Sequence, residues 1–599
     1  MFTALSLVAA FALPQGDLAQ APVGLTIVVV DVGQGDGIVV RAPDGTIHVI
    51  DAGPEGEGTA SMLPVIDALQ PQAYGYAVLS HFHVDHGGGL DDVLARPFQV
   101  AYDRGDVNRP SNTSINSYVA VAGSRRHTIA VGGLYQLGGG ATLRCIAANG
   151  SVMGGAFVDP TNSSEEENSR SIALRLDYGD FSMWLGGDLT GGGNTTADVE
   201  SSATLACGDV DVYKINHHGS NTSTSLNLVA RLDPELAVVS CGAGNSYGHP
   251  TTGTVNRLNQ AAAARALLST TTGSAATIGF GVAGNVRIDT DGYRYRATAQ
   301  NGDFLDFFCD EVVPEPLAPG AVRISEILRD PNIVPDTNGE YVEVVNIGPK
   351  PIALAGLMLS DNAANVVLAA NYMAVPGRPM LFQVDGAPSR NGGQPLGVSL
   401  PFSTLSLANS NDTVTVSSGA TILDTVTYTA SLPGGAGIAA ERRDLFAPHQ
   451  LAGVWNYAAA PLAFGAGDRG SPGRSNDSDT TVHPVQCGVT VRPGRLTLHA
   501  TALDHGSFYF SLLALSYGTS PGIPFGGAVV PLNFDALFQV SLSAPGFLTV
   551  MPAGGYRSVD VVLPQPNPIA GVPLYAAHVI LAVDLTVPGV SPAVPFVTQ

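Results

Sequence analysis

The sequence predicts a multidomain, β-rich chain: one domain of strands, loops and some helix, followed by two all-β modules. Three observations predict it. Glycine is abundant, 71 of 599 residues, while charged residues make up 13%, which suits short strands and loops better than long helices. Up to residue 300, short apolar runs end repeatedly in clusters of Asp, His and Gly. Residues 310–320 (D-E-V-V-P-E-P-L-A-P-G) then hold three prolines and read as a stiff linker, beyond which short alternating runs recur.

Residues 1–21 have an apolar core at 4–13 and end in Ala19-Gln20-Ala21, a small-x-small cleavage pattern. They are expected to be a signal peptide, which makes the mature chain secreted, periplasmic or cell-surface. No Lys or Arg precedes the apolar core, so an uncleaved arm or a misassigned start is the alternative. No later run approaches the ~18 apolar residues that span a bilayer, and no membrane span is expected after signal removal. A formal net charge of −23 excludes gripping nucleic acid by a broad basic surface. Any polyanionic substrate would have to be held by metal ions. Five cysteines (Cys145, Cys207, Cys241, Cys309, Cys487) are too dispersed for a zinc ribbon and too few for a disulfide scaffold. One bridge among Cys145, Cys207 and Cys241, or buried free thiols, both stay open.

The first domain, 24–305, carries the chemistry. Residues 25–30 read as a strand running into Asp31-Val32-Gly33-Gln34-Gly35-Asp36. A second strand, a Pro43-Asp44-Gly45 turn and a return strand lead to Asp51-Ala52-Gly53. The apolar run 76–79 delivers Ser80-His81-Phe82-His83-Val84-Asp85-His86 and then three glycines. Imidazole and carboxylate suit zinc and manganese, and a strand end can aim several of them at one point. The strand 181–185 ends in Gly186-Gly187-Asp188, and the strand 211–216 ends in His217-His218-Gly219-Ser220. A further strand, 236–240, leads to Asn245-Ser246-Tyr247-Gly248-His249-Pro250. Strand alternation puts Lys214, one of two lysines in the chain, on the face of His218. There it could meet an anionic substrate; a plain solvated lysine is the alternative.

The H-x-H-x-D-H spacing resembles the signature of the metallo-β-lactamase superfamily. D-V-G-Q-G-D, K-x-x-H-H-G-S and N-x-Y-G-H-P are similar to the hydrolase domain of ComEC-type DNA-uptake proteins. The resemblance implies an αββα fold holding one or two metals between two sheets. It makes Asp188 a bridge between two divalent ions, zinc or manganese, about 3.5–4 Å apart. His81 and His83 fall on one ion, Asp85 and His86 on the other. Most members place another histidine before the bridging aspartate; here that interval offers only His127, with no motif around it. Both missing ligands are therefore expected after Asp188. His218 is assigned to the His81/His83 ion, with His217 contacting substrate and the reverse order open. His249 is assigned to the Asp85/His86 ion. Asp36 and Asp51 would orient ligand histidines from behind, with locally satisfied turn aspartates as the alternative. Asn168 matches a family asparagine near the site and is grouped with Lys214 as substrate-contacting. No channel-forming segment accompanies the domain in this sequence, so transport is not implied.

In 321–476 the series I-x-E-I (324–327), G-E-Y-V-E-V-x-N (339–346) and L-x-G-L-x-L-S-D (354–361) is similar to the lamin-tail domain, an immunoglobulin-like β-sandwich. That resemblance implies a tethering module with a cell-surface or extracellular partner. It makes Glu326, Glu340 and Glu343 structural or surface residues rather than catalytic ones. Residues 480–599 read as a small β-sandwich without a nameable family, with strands at 496–501, 507–515, 559–563 and 576–583. Its His483, His499, His505 and His578 share no ligand spacing.

The expected function is an exported metal-dependent hydrolase, foremost a phosphodiesterase of nuclease type. Paired ions generate hydroxide near neutrality and stabilise the developing oxyanion; Asp85, Asp188 and His217 are the expected catalytic residues. The substrate is a phosphodiester, single-stranded DNA included, with a small ester, phosphocholine ester or lactone as the alternative. The reading of another class is a non-catalytic adhesion protein.

Overall fold

The computed structural model describes residues 21–261, 265–274, 279–309, 312–400, 405–459, 463–465, 467–480 and 484–501. From 508 onward it describes 508–514, 522–525, 528–533, 547–550, 555–563, 570–581, 589–598 and a few single residues. The expected signal peptide, Ala21 aside, lies outside the described residues, as do His483 and His505.

Val- and Ile-rich runs bounded by Gly, Asp and Pro form the strands of the first domain. In chain order these are β1 (Leu25–Val29), β2 (Gly37–Arg41), β3 (Thr46–Ala52), β4 (Ala73–Val78), β5 (Val100–Asp103), β6 (Arg126–Thr128), β7 (Leu134–Gly138), β8 (Ala141–Ala148) and β9 (Ser151–Val152). The rest are β10 (Ala173–Tyr178), β11 (Phe181–Leu185), β12 (Val212–Lys214), β13 (Leu236–Val239), β14 (Ala266–Ser269), β15 (Gly281–Val282), β16 (Val286–Thr290), β17 (Arg294–Thr298) and β18 (Phe304–Phe308). One nine-stranded sheet runs β18-β17-β16-β1-β2-β3-β4-β5-β6; the other runs β15-β14-β13-β12-β11-β10-β8-β7, with β9 on β8. The segments β3 to β6 and β11 to β15 pair in parallel.

Both sheets are buried on both faces, which is why their strands read as continuous apolar runs. Ile27, Val29, Ile38 and Val40 of the first sheet pack against Leu174, Leu176, Met183, Leu185, Val212 and Val238 of the second. On the outer face of the first, Met62, Ile66, Leu90, Ile115 and Tyr118 cover Val28, Val39 and Val49. On the outer face of the second, Ala203, Leu228, Leu232 and Leu258 cover Trp184, Tyr213 and Val239. Each such aliphatic side chain contributes about 1.5–3 kcal/mol relative to exposure, so the strand ends that carry the site are rigid. The layer order is helix, sheet, sheet, helix, as expected.

Residues 312–320 of the expected linker lie outside the strands and helices, and residues on either side of it touch. Phe308 N–H donates to Asn371 O (2.9 Å), the Phe307 and Tyr372 rings stand 4.8 Å apart, and Asp306 pairs with Arg378. After it, a six-stranded and a four-stranded sheet share a core of Ile324, Val342 and Phe382 against Leu357, Val414 and Val426. Beyond residue 484, Leu496, Leu498 and Val559 pack on Leu574, Ala576 and Ile580 from two further sheets. His499 is buried there, between Thr490 and Tyr556. The five cysteines are thiols rather than disulfides, and burial pushes Cys145 up to about 12.

Glu326, Glu340 and Glu343 are not surface residues: all three are buried. Glu326 and Glu343 face each other across neighbouring strands, with Glu441 on the other side of Glu326. Burial pushes Glu326 up to about 7 and Glu340 up to about 8, and burial with the Glu326 charge raises Glu343. The unfolded chain ionises these groups near 4.5, so their contribution to stability is full below that pH and is lost as pH rises through 7 to 8. Denaturant midpoints are expected to fall from pH 5 to pH 8, and Glu326→Gln to flatten that slope. An equal slope in the variant contradicts the assignment.

Candidate metal centre

The loops after β4, β11, β12 and β13 meet at one end of the sandwich. Below the first, Asp51 Oδ1 accepts Ser80 N–H (2.7 Å), while Asp51 Oδ2 accepts the Ser80 hydroxyl (2.6 Å) and lies 2.7 Å from His86 Nδ1. Ser80 Oγ in turn lies 3.1 Å from His81 Nδ1. Asp51 thus orients His86 directly and His81 through Ser80. Phe82 N–H donates to Glu167 Oε1 (2.7 Å), a carboxylate also gripped by Arg104, whose guanidinium sits 4.6 Å over the Phe82 ring. Asp36 N–H donates to Asp85 O (3.1 Å), and a Cβ at Gly35 would lie 2.2 Å from that oxygen. Only glycine permits this approach.

Asp36 lies 3.3 Å from His218 Nδ1 and accepts the Ser240 hydroxyl (2.9 Å). Lys214 corrects the sequence reading. Its side chain is 1% exposed and its Nζ lies 2.8 Å from Asp36 Oδ1, so it neutralises a buried carboxylate and does not reach substrate. Burial alone would raise Asp36, but the Lys214 ammonium and His218 hold it well below the usual carboxylate range.

Asp188 stands at the centre, buried. Its Oδ1 lies 3.2 Å from His86 Nε2 and 3.6 Å from His218 Nε2; its Oδ2 lies 3.6 Å from both His81 Nε2 and His217 Nε2. His81 Nε2 and His83 Nδ1 are 3.0 Å apart, and His218 Nε2 is 3.4 Å from Asp85 Oδ2. Three overlapping donor groups result, His81/His83/Asp188, Asp85/His86/His218 and Asp36/His86/Asp188, the last with its Asp36 already paired to Lys214. This differs from the assignment made on the sequence. His218 faces Asp85 and His86, and His217 occupies the His81/His83 side. Left-handed backbone at both residues (φ 50° and 53°) turns the neighbouring imidazoles to opposite sides. His249 joins neither group: its ring centre is 5.5 Å from His217 and 6.3 Å from His218, at the mouth, stacked on Tyr247.

The residues present fit cations. His86 Nε2, His218 Nε2 and Asp188 Oδ1 are buried without a hydrogen-bond partner and converge on one point. Burial opposes charge on His218, yet Asp188, Asp36 and Asp85 lift it to about 10, and Asp188 and Asp51 lift His86 in the same way. Protons thus sit where a cation would stand, the competition expected of a metal site.

Over the centre lies a cavity of about 320 Å³ lined by Gln34, Asn168 and Tyr247 with His83, His217, His218 and His249, and among the described residues by no Lys or Arg. Asn168 Nδ2 is 3.3 Å from His217 Nε2 and donates to Glu165 Oε2 (3.2 Å). Glu165 was missed on the sequence. It lies 3.5 Å from His217 Nδ1 and accepts the Thr222 hydroxyl (3.0 Å). Its spacing of three from Asn168 places both on one face of a helical turn, a signal that could have found it.

Residues 30–107 match the sequence profile of the Metallo-beta-lactamase superfamily. The chain is 26% identical over 239 residues to ComE operon protein 3 of Bacillus subtilis (strain 168), covering 37% of this chain and 29% of that one. It is 26% identical over 235 residues to competence protein ComA of Neisseria gonorrhoeae, covering 39% and 29%. The chain therefore spans under a third of the length of these relatives. Among solved structures, Zn(2+)-bound PqqB from Methylobacterium extorquens is similar at 12% identity and a TM-score of 0.24, covering 35% of this chain and 87% of that one. The sequence matches and the layered fold agree: the chain carries a metallo-beta-lactamase superfamily domain, homologous at low identity to ComE/ComEC-like competence proteins.

Proposed function

We propose that the chain is an exported metal-dependent hydrolase of phosphodiesterase type. The observation that carries this is Asp188, whose two oxygens face two different histidine sets. Zinc or manganese ions would be held by His81, His83, His217 and Asp188 Oδ2 on one side, and by Asp85, His86, His218 and Asp188 Oδ1 on the other. Such ions supply Lewis acidity, polarising a phosphoryl or acyl oxygen and making water acidic near neutrality. The chain's own residues do the positioning. Asp51 accepts Nδ1–H from His86, and Ser240 O, with Asp36 beside it, accepts that of His218, which directs their Nε2 lone pairs inward. Asn168, anchored by Glu165, donates to a substrate oxygen. Asp85, 35% exposed, accepts a hydrogen bond from the attacking water.

The lamin-tail-like module is proposed as a tether to a cell-surface or extracellular partner. Among the described residues no helix is long and apolar enough to cross a membrane. The cationless lining of the cavity favours a small phosphodiester over long DNA, and it supports a second reading, hydrolysis of a small ester, phosphocholine ester or lactone. Turnover of bis-p-nitrophenyl phosphate, phosphorylcholine and lactone substrates separates them. The phosphodiester is expected to be cleaved, with activity lost in chelator, restored by zinc or manganese, and at least about a hundred-fold lower in His81→Ala. Turnover that survives His81→Ala rejects this site; cleavage of lactone alone selects the second reading. Degradation of single-stranded DNA, with chelator as control, tests the nuclease form.

A further inference from the structure

We propose that the junction of the three modules binds a small oxyanion at the guanidinium of Arg492. A cavity of about 60 Å³ opens there, away from the metal centre. Tyr293 and Phe308 of the first module line it, with Lys350 of the second and Thr490 and Arg492 of the third. Its size suits a ligand of a few heavy atoms.

Arg492 is the reason to expect a ligand. Its guanidinium carbon lies 3.5 Å from the centre of the Tyr293 ring, so one face is covered by an aromatic surface while the donor edge stays available. Its Nε is buried and has no hydrogen-bond partner. Three buried arginines meet carboxylates, Arg104 with Glu167, Arg296 with Asp306 and Arg442 with Asp424, and Arg329 and Arg257 are met by backbone carbonyls instead. With 51 acidic against 28 basic residues, carboxylates are not scarce.

The charged groups around the cavity are otherwise matched. Lys350 Nζ donates to both Glu315 oxygens at 2.8 Å. Asp560 accepts the Thr497 hydroxyl (2.5 Å) and lies 3.5 Å from Arg495. His499 bridges Thr490 Oγ1 and Tyr556 OH, and burial holds it far below its ordinary range, hence neutral. Arg492 is only partly exposed, has no carboxylate in direct contact among the described residues although Asp560 and Asp291 act on it at longer range, and keeps a buried Nε–H to give. A carboxylate or phosphate oxygen completes it by a charge-assisted hydrogen bond. Because the cavity is built from all three modules, the ligand ties the third to the other two.

The test uses the full chain in chloride, phosphate or acetate at matched ionic strength, read by thermal midpoint and by hydrogen exchange of residues 312–320. Phosphate or acetate is expected to raise the midpoint and slow that exchange. A response to phosphate alone assigns a phosphate ligand, and one to acetate alone a carboxylate. Arg492→Gln should weaken the apparent affinity roughly ten-fold or more. Arg492→Lys, which keeps the charge and loses the planar fork, should weaken it while folding. The response should persist in His81→Ala, which separates it from anion capture at the metal centre. The proposal is overturned if neither anion changes midpoint or exchange, or if both Arg492 variants respond like the wild type.

Discussion

Asp188→Ala is expected to empty the centre of metal and to lower phosphodiester turnover by at least about a hundred-fold. Among the described residues no other carboxylate addresses both histidine sets. Asp85 belongs to one of them, and Asp36 and Asp51 are committed to Lys214, Ser240 and Ser80. Without Asp188, the Nε2 atoms of His81, His86, His217 and His218 lose the anion that they converge on. Metal content by elemental analysis, beside kcat, checks this. Near-normal content with near-normal turnover would show that the bridge is not required.

Glu200→Ala is expected to destabilise the first domain by about 3–5 kcal/mol and to abolish activity without touching the centre. Glu200 is fully buried. It accepts Asn216 Nδ2 (2.8 Å), Thr224 N–H (2.7 Å) and Ser225 N–H (2.8 Å), and burial pushes it up to about 7. Those three donors bracket the loop that holds His217 and His218 in left-handed conformation. That conformation costs of order 1–2 kcal/mol per residue and persists only while its surroundings impose it. Removing Glu200 leaves a cavity and unmet donors, and frees the strained loop to relax. A fall of roughly 10 °C in the thermal midpoint, with metal content reduced, is the expected result. An unchanged midpoint contradicts this role of Glu200.

The sequence carried the strand ends better than it carried what meets above them. His81, His83, Asp85, His86 and Asp188 were readable because each follows an apolar run that stops at glycine or serine, a local pattern. Asp51 and Asp36 were readable as supports for the same reason. The distribution of the later histidines was not, because it depends on dihedral angles at 217 and 218 that no spacing encodes. Lys214 was placed on the right face of its strand, but its partner stands 178 residues away, in the loop between β1 and β2. Period-two reasoning says which way a side chain points and not what it finds there. The prolines at 314, 316 and 319 fix an extended chain but do not tell of the packing of Phe307 on Tyr372, which is long-range.

The most direct test of the central claim is anomalous diffraction from crystals of the full chain grown with zinc or manganese. Two peaks are predicted, about 3.5–4 Å apart on either side of Asp188. His217 should lie beside the peak at His81 and His83, and His218 beside the peak at Asp85 and His86. A single peak, or His249 in the place given to His218, would contradict the account.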